Sequence, residues 1–532
     1  MMKKLALISL SLGLFSAGCG GAETVATTHV PPTPPPEVAE VPTEVAPIPA
    51  PPSGPARDIS FPAITRVVLD NGLEVNTVTS GNLPAVHMRL VIRSGAETDP
   101  AGRAGLSNLV AEMLREGTRQ HTSAEIAERI EFLGADLSVG ADEENVHLVF
   151  RALSDQLDEA FDILAELVTE PAFRNDELEK LKRRENDRLS LSSRQPRWLA
   201  RRELNRRLYG ANHPYGTVDT NEAALRRIRR GDLVRWHRSN VVPNNAFLVV
   251  VGAVQADAVQ ASATRAFAGW SQRPIRARSL PNLPTRSERE IVIVDRVGSA
   301  QSTILIANLA IARSDEDFVP LDVANQVLGG SAASRLFMDL REQRSLTYGA
   351  YSDVGERVGV APFVAMASVR TPVTDQAMSG LFEHLDRIIA EPPTSEEVGH
   401  ATTYLSDSFP LQIATPARIA WMVANLRVFN LPDSYWETYR SAIRGTTPAQ
   451  ALAAAQEHIR PSEALVVVVG TAAEISESLR AFGPVTVVDT DGSVKQRFSM
   501  LSAEEIAAAA QQSAEAAAAA AAEAATEASA QE

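Results

Sequence analysis

Few side chains in this 532-residue chain could carry out hydrolysis or hold a metal, and their spacing argues against several chemistries. Nine histidines are present: His29, His87, His121, His147, His213, His237, His384, His400 and His458. A zinc-binding helix needs two imidazoles one turn apart, with a glutamate beside them to take a proton from metal-bound water. No two of these histidines lie within five residues, and neither HExxH nor HxxEH occurs. A GxSxG nucleophile elbow is absent too, and the only cysteine, Cys19, sits at the end of an apolar leader. Gly329-Gly330 is followed by no Walker lysine, which removes a phosphate loop. His213, in a His-Pro-Tyr-Gly turn, reads as structural, and His121 and His237 read as surface or packed residues. Residue types alone assign no catalytic group and no metal ligand.

Composition narrows the partners. A formal net charge of -15 and the lack of Lys/Arg runs with interleaved aromatics exclude a nucleic-acid footprint. Residues 1–18 have the form of an export signal: Lys3 and Lys4 precede an apolar run, Leu5 to Phe15, too short to span a bilayer. Ser16-Ala17-Gly18-Cys19 resembles a lipobox, so Cys19 is the expected lipidation site and the membrane a partner through that lipid. This predicts a lipid-anchored protein of the bacterial cell envelope, on the outer membrane or facing the periplasm. One cysteine permits no intrachain disulfide. Residues 19–60 form a Pro-rich linker, and residues 489–532 an Ala/Glu-rich low-complexity tail with no apolar stripe.

The elements between these ends repeat. A helical stretch, Asp158 to Thr169, ends at Glu170-Pro171, and another, Leu381 to Ala390, ends at Glu391-Pro392, 221 residues on. Pro243 precedes an apolar strand ending at Gly252, and Pro461 precedes one ending at Gly470, both 218 residues apart. Four landmarks at nearly constant spacing indicate two copies of one domain. The boundaries are 61–271 and 288–488, joined by a Pro- and Arg-containing linker from Gln272 to Ser287. Within the first copy, Leu73 to Val78 and Val86 to Ile92 read as strands. Ala104 to Leu114 reads as a helix, and Thr122 with Glu125 as a capping box opening another. Leu137 to Val139 and Val146 to Phe150 then form a hairpin, and the second copy shows the same order. The expected class is α+β, an antiparallel-rich sheet with helices packed on one face in each copy.

Several runs carry a family resemblance. Arg93-Ser94-Gly95-Ala96-Glu97, Gly105-Leu106-Ser107-Asn108-Leu109-Val110-Ala111-Glu112-Met113-Leu114 and Gly117-Thr118 are similar to the first-domain signature of the insulinase/pitrilysin (inverzincin) zinc peptidases. Leu328-Gly329-Gly330, Ser334-Arg335-Leu336 and Leu340-Arg341-Glu342 through Tyr348-Gly349 resemble their second domain. The likeness covers residues 61–488 and implies two homologous insulinase-like domains of the LuxS/MPP-like metalloprotease fold. It also locates what is missing. The family's HxxEH falls on Asn108, Ala111 and Glu112, and its further carboxylate ligand falls at or near Arg188, with Glu185 one turn earlier. An amide oxygen replaces an imidazole poorly on zinc, and Ala111 has no group to take a proton. Arg341 and Tyr348 match in type and spacing the family's pair that reaches toward bound peptide, the Tyr hydroxyl able to donate where carbonyl charge develops.

The resemblance implies a function by subtraction. Family members enclose peptides in a clamshell, and in two-chain versions one subunit brings HxxEH and the other the Arg/Tyr side. This chain is therefore expected to be the non-catalytic subunit of a two-chain zinc peptidase. It would carry no cofactor itself, zinc would sit on an HxxEH-bearing homologous partner, and unfolded peptide would be the ligand. The alternatives are a stand-alone peptide-binding or scaffolding envelope lipoprotein and, further off, an active zinc metallopeptidase with an atypical site.

Overall fold

The computed structural model describes residues 59–508 apart from 82, 212, 217–219 and 277–279, together with residue 511. The export signal, Cys19, the Pro-rich linker up to residue 58 and most of the low-complexity tail lie outside the described residues. No described helix is long and apolar enough to cross a membrane.

Two sheets form the frame. The first contains β1 (Thr65–Val68), β2 (Glu74–Thr79), β3 (Ala85–Ile92), β4 (Asp136–Ala141), β5 (Val146–Leu153) and β6 (Ala246–Gly252), in the order β1-β2-β6-β3-β5-β4. The second contains β7 (Glu290–Asp295), β8 (Gln301–Ile311), β9 (Thr347–Val354), β10 (Ala361–Arg370), β11 (Leu465–Gly470), β12 (Val485–Val488) and β13 (Val494–Phe498), in the order β13-β12-β7-β11-β8-β10-β9. Five consecutive strands correspond one for one, β2-β6-β3-β5-β4 with β7-β11-β8-β10-β9. In each set a parallel pair, β2 with β6 and β7 with β11, continues into antiparallel neighbours. The strands β6 and β11, Val-rich and buried at every position, are the ones that follow Pro243 and Pro461. A strand buried on both faces reads as a continuous apolar run, as these do.

Each sheet packs its own helices on one face, as expected. Helices Leu106–Leu114 and Leu157–Thr169 close the first core with β2, β3, β5 and β6, and helices Phe318–Leu328 and Thr374–Ala390 close the second. The expected capping box is present, with Thr122 and Glu125 exchanging hydrogen bonds. The second face of each sheet differs from the expectation of helices on one face alone. Helix Pro416–Val428, from the second half, covers Val78, Val91, Phe247, Val249 and Val251 of the first sheet. Helix Pro196–Tyr209, from the first half, covers Val292, Val294, Val467 and Val469 of the second. The halves thus exchange one helix each.

The exchange is pinned by equivalent ion pairs. Arg427 Nε lies 2.7 Å from Glu74 Oε1 and donates to Asn76 Oδ1 at 3.0 Å, all in a buried setting. Arg207 Nη1 lies 2.8 Å from Glu290 Oε1. Glu74 and Glu290 are the first residues of β2 and β7, so each swapped helix plants an arginine on the same strand position of the other half. A residue of positive φ follows each helix, Gly210 (φ 84°) directly after the first and Asn430 (φ 53°) two residues after the second. A further contact joins the hairpin after β4 to the hairpin after β9. Tyr215 donates to Glu144, whose carboxylate also accepts from Val358 N at 2.9 Å, and Arg357 pairs with Glu143 at 3.2 Å.

The second sheet runs past Val488. The segment Val-Lys-Gln-Arg-Phe pairs antiparallel with β12 as the edge strand β13, so the stretch read as tail begins with an ordered strand. Its side chains are mostly exposed and charged or polar, which hides it from an apolar pattern and suits an edge that must not recruit another chain.

Candidate functional site

The helix Leu106–Leu114 is held at its first turn by Asp99. Its carboxylate accepts from Gly105 N at 2.7 Å and Ser107 N at 2.8 Å, filling two of the donors a helix start leaves open. Burial lifts the Asp99 carboxyl to about 7 against those hydrogen bonds. Gly105 precedes the helix at φ 89°, and a Cβ there would lie 2.6 Å from Thr220 Cβ. Only glycine meets both constraints. Along the helix every residue is buried except Asn108 and Glu112, one turn apart. Ala111 is fully buried in the first core and does not face the opening.

That opening is a pocket of about 520 Å³. Asn108 and Glu112 form one wall, Glu185 and Arg188 of helix Asn175–Ser192 the facing wall, and Asp142 and Glu143 at the end of β4 close a side. Four of the positions singled out in the sequence thus come together: Asn108, Glu112, Glu185 and Arg188. Arg188 Nε donates to Glu185 Oε2 at 2.8 Å, and its Nη2 contacts the other carboxylate oxygen. The pair is i,i+3 on one helix, with the Glu185 side chain 8% exposed. Glu112 is paired with Arg115 at 3.2 Å. No histidine lines the pocket.

Four of the described histidines, His121, His213, His237 and His458, are engaged elsewhere. His213 is buried against the Tyr209 and Tyr215 rings and accepts from Tyr215 N at 3.1 Å. His121 bonds Glu166 at 2.8 Å. His237 bonds the Val168 carbonyl at 2.8 Å, and burial pushes its imidazole down to about 4. Among the described residues one set of three potential metal donors converges, Asp317, Glu457 and His458. There both His458 nitrogens are occupied, by Ala310 O at 3.3 Å and Asp317 Oδ2 at 3.2 Å.

Arg341 and Tyr348 sit on the second half, outside this pocket. Arg341 lies in the π-helical turn Met338–Gln343, its guanidinium 4.7 Å from the Phe337 ring and 3.3 Å from Glu342. Tyr348, near the start of edge strand β9, is 87% exposed. It borders a hollow of about 250 Å³ with Tyr351, Met366 and, from the first half, Arg197. Arg341 does not line that hollow. Sequence reasoning missed Arg197 and Tyr351, because only the helix exchange brings residue 197 to the second sheet.

Comparison with known proteins matches this architecture. Residues 75–215 fit the profile described as "Insulinase (Peptidase family M16)", and residues 227–405 fit "Peptidase M16 inactive domain". An uncharacterized zinc protease of Streptomyces coelicolor is 23% identical over 65% of this chain and 76% of its own length. A protein of Helicobacter pylori named "Non-peptidase homolog YmxG" is 24% identical over 68% of this chain and 83% of its own. The crystal structure of an M16 inactive domain from Pseudomonas fluorescens superposes with a TM-score of 0.72 at 27% identity, covering 76% of this chain and 98% of that one. The Escherichia coli periplasmic protease PqqL shares the fold, with a TM-score of 0.66 at 16% identity over 79% of this chain and 47% of its own. Two matched domains in series and the repeated sheets lead to one assignment: the chain belongs to the insulinase, or M16, peptidase family, and its sequence contains no HxxEH.

Proposed function

We propose that this chain binds unfolded peptide without hydrolysing it, as the non-catalytic subunit beside a separate homologue that carries HxxEH and the zinc. One observation carries the reading: the Arg188 guanidinium lines the pocket shared by Asn108, Glu112 and Glu185, the positions expected from the resemblance to stand for the family's metal ligands. Arg188 holds Glu185 through both carboxylate oxygens, and Glu185 is the buried carboxylate facing the helix Leu106–Leu114. The donor set does not suit zinc. It offers an amide and four carboxylates, of which Glu112, Glu143 and Glu185 are paired with arginines and Asp142 accepts from Glu144 N and Asn145 N, but no imidazole and no thiolate. A dication entering there would meet the positive charge of Arg188 and would have to break the Glu185 pair. The proton acceptor is missing as well, since Ala111 is buried and carries no basic atom.

What remains serves binding. The pocket presents Asn108, whose amide can donate to and accept from a peptide backbone, beside Arg188. Arg341 and Tyr348 offer exposed donors on the second half, and Tyr348 has no burial role to explain it. The inactive-domain profile and the relative named a non-peptidase homolog support the same reading. Lipid on Cys19 would anchor the chain in the cell envelope, in keeping with a periplasmic protease among its structural neighbours.

The test is a mild-detergent pull-down of the lipoprotein from its native membrane, with co-purifying chains identified and peptide binding measured. A stoichiometric homologue bearing HxxEH is expected. Recovery of the chain alone, still binding peptide, would replace this reading with a stand-alone peptide-binding lipoprotein. Failure to bind any unfolded peptide would end both.

A further inference from the structure

A second cavity, of about 1330 Å³, shares no lining residue with the Asn108–Arg188 pocket. It lies where helix Arg230–Asn240, residues 273–276 and the end of helix Pro416–Val428 meet. Six arginines line it: Arg93, Arg103, Arg235, Arg238, Arg273 and Arg276. The acids present are fewer and committed. Asp232 sits between Arg103, at 3.2 Å, and Arg235. Asp99 caps the helix Leu106–Leu114, and Glu97 has a partner of its own. Arg93 is likewise occupied, donating to Arg427 O at 2.6 Å and lying 4.8 Å from the Phe247 ring.

Arg238, Arg273 and Arg276 are different. All three are exposed on the rim, and among the described residues none has an acidic partner for its guanidinium. In a chain of net charge -15 this is a local reversal of sign. Between the arginines the lining is apolar, with Trp236, Ile275 (43% exposed), Leu280, Val358 and Val428.

We propose that this cleft is a subsite for acidic stretches of an extended peptide, the rim guanidiniums pairing with Asp and Glu carboxylates while aliphatic side chains settle on the floor. Guanidinium matches carboxylate by two parallel hydrogen bonds, which a lysine rim would not provide. A concave cleft of this volume admits a chain rather than a flat bilayer. The inference rests on the peptide-binding reading above and narrows it to a ligand class.

The test uses the full chain and two labelled, unstructured peptides of equal length. One is rich in Asp and Glu with scattered aliphatic residues, and the other carries Asn and Gln in their place. Fluorescence anisotropy at low salt should show the acidic peptide binding about tenfold more tightly, the product of three exposed charge contacts. High salt should erase that advantage. The triple variant Arg238→Glu, Arg273→Glu, Arg276→Glu should lose it while holding the neutral peptide unchanged. The milder Arg→Gln set, with thermal melts alongside, covers any folding defect. Equal affinity for the two peptides, or a preference that survives in both variants, overturns the inference. Binding of neither peptide instead overturns the peptide-binding reading on which it rests. Rim-dependent sedimentation with anionic vesicles, without any acidic-peptide preference, would assign the cleft to a membrane surface and overturn it as well.

Discussion

Replacing Arg427 with methionine tests the helix exchange on which every site described above depends. The Arg427 side chain is 7% exposed, and it is the cation closest to Glu74, 2.7 Å away, with Asn76 Oδ1 accepting at 3.0 Å. Removing one member of a buried pair costs about 3–5 kcal/mol, because the remaining charge stays desolvated. Two features reduce that figure. Arg66, itself half exposed, also reaches Glu74, at 3.0 Å, and methionine fills the space of the arginine stem. A loss of about 2–3 kcal/mol is therefore expected. Urea unfolding followed by tryptophan fluorescence is the assay, since Trp421 lies on the same helix and Trp436 packs against it. Adding Glu74→Gln to Arg427→Met should recover most of the loss, because it neutralises the orphaned charge. Arg66→Ala alone should cost no more than about 0.5 kcal/mol. An Arg427→Met protein within that margin of wild type, or no recovery in the double variant, would refute the claim that this pair fixes the exchanged helix.

Other substitutions probe the site and its supports. Gly105→Ala, forced into φ 89° against Thr220, should destabilise the protein by about 2 kcal/mol or more in the same urea assay. Tyr348→Phe should leave stability within about 0.5 kcal/mol of wild type, since the ring is exposed, yet weaken peptide binding several-fold by anisotropy. His237 titrates near 4 when folded and near 6.5 when unfolded. As pH falls from 6.5 toward 4 the unfolded state takes the proton first, so stability is lost across that window, by up to about 3 kcal/mol. Urea midpoints at pH 7.5 and 5 should converge in His237→Gln relative to wild type; Asp99, whose raised value acts in the opposite direction, cancels in that difference.

Much of this was legible in the chain, for identifiable reasons. The Pro and Gly landmarks that mark the repeat bound the buried strands β6 and β11, where an extended run must begin and end abruptly. Asn108 and Glu112 share a face because residues four apart on a helix do, and the i,i+3 spacing of Glu185 and Arg188 allows their ion pair. The helix exchange was not legible. Apolar spacing tells that helix Pro196–Tyr209 is buried but not against which sheet, and its Glu203 and Arg207 blur the pattern. A signal did exist. Pro196 and Pro416 open the two swapped helices, and Arg207 and Arg427 end them, both pairs 220 residues apart. The meeting of Arg197 with Tyr348 and the arginine-lined cleft depend on that exchange, so they could not be read before it.

The proposed function requires that this chain hold peptide but not the metal that would cut it. Equilibrium dialysis of the recombinant single chain against zinc, followed by a fluorogenic peptide cleavage assay on the same sample, tests it most directly. Zinc well below one ion per chain is expected, with peptide bound and left intact. One tightly held zinc per chain with cleavage that a chelator abolishes would contradict it, and would mean that Asn108, Glu112 and Glu185 rearrange into a metal site despite Arg188.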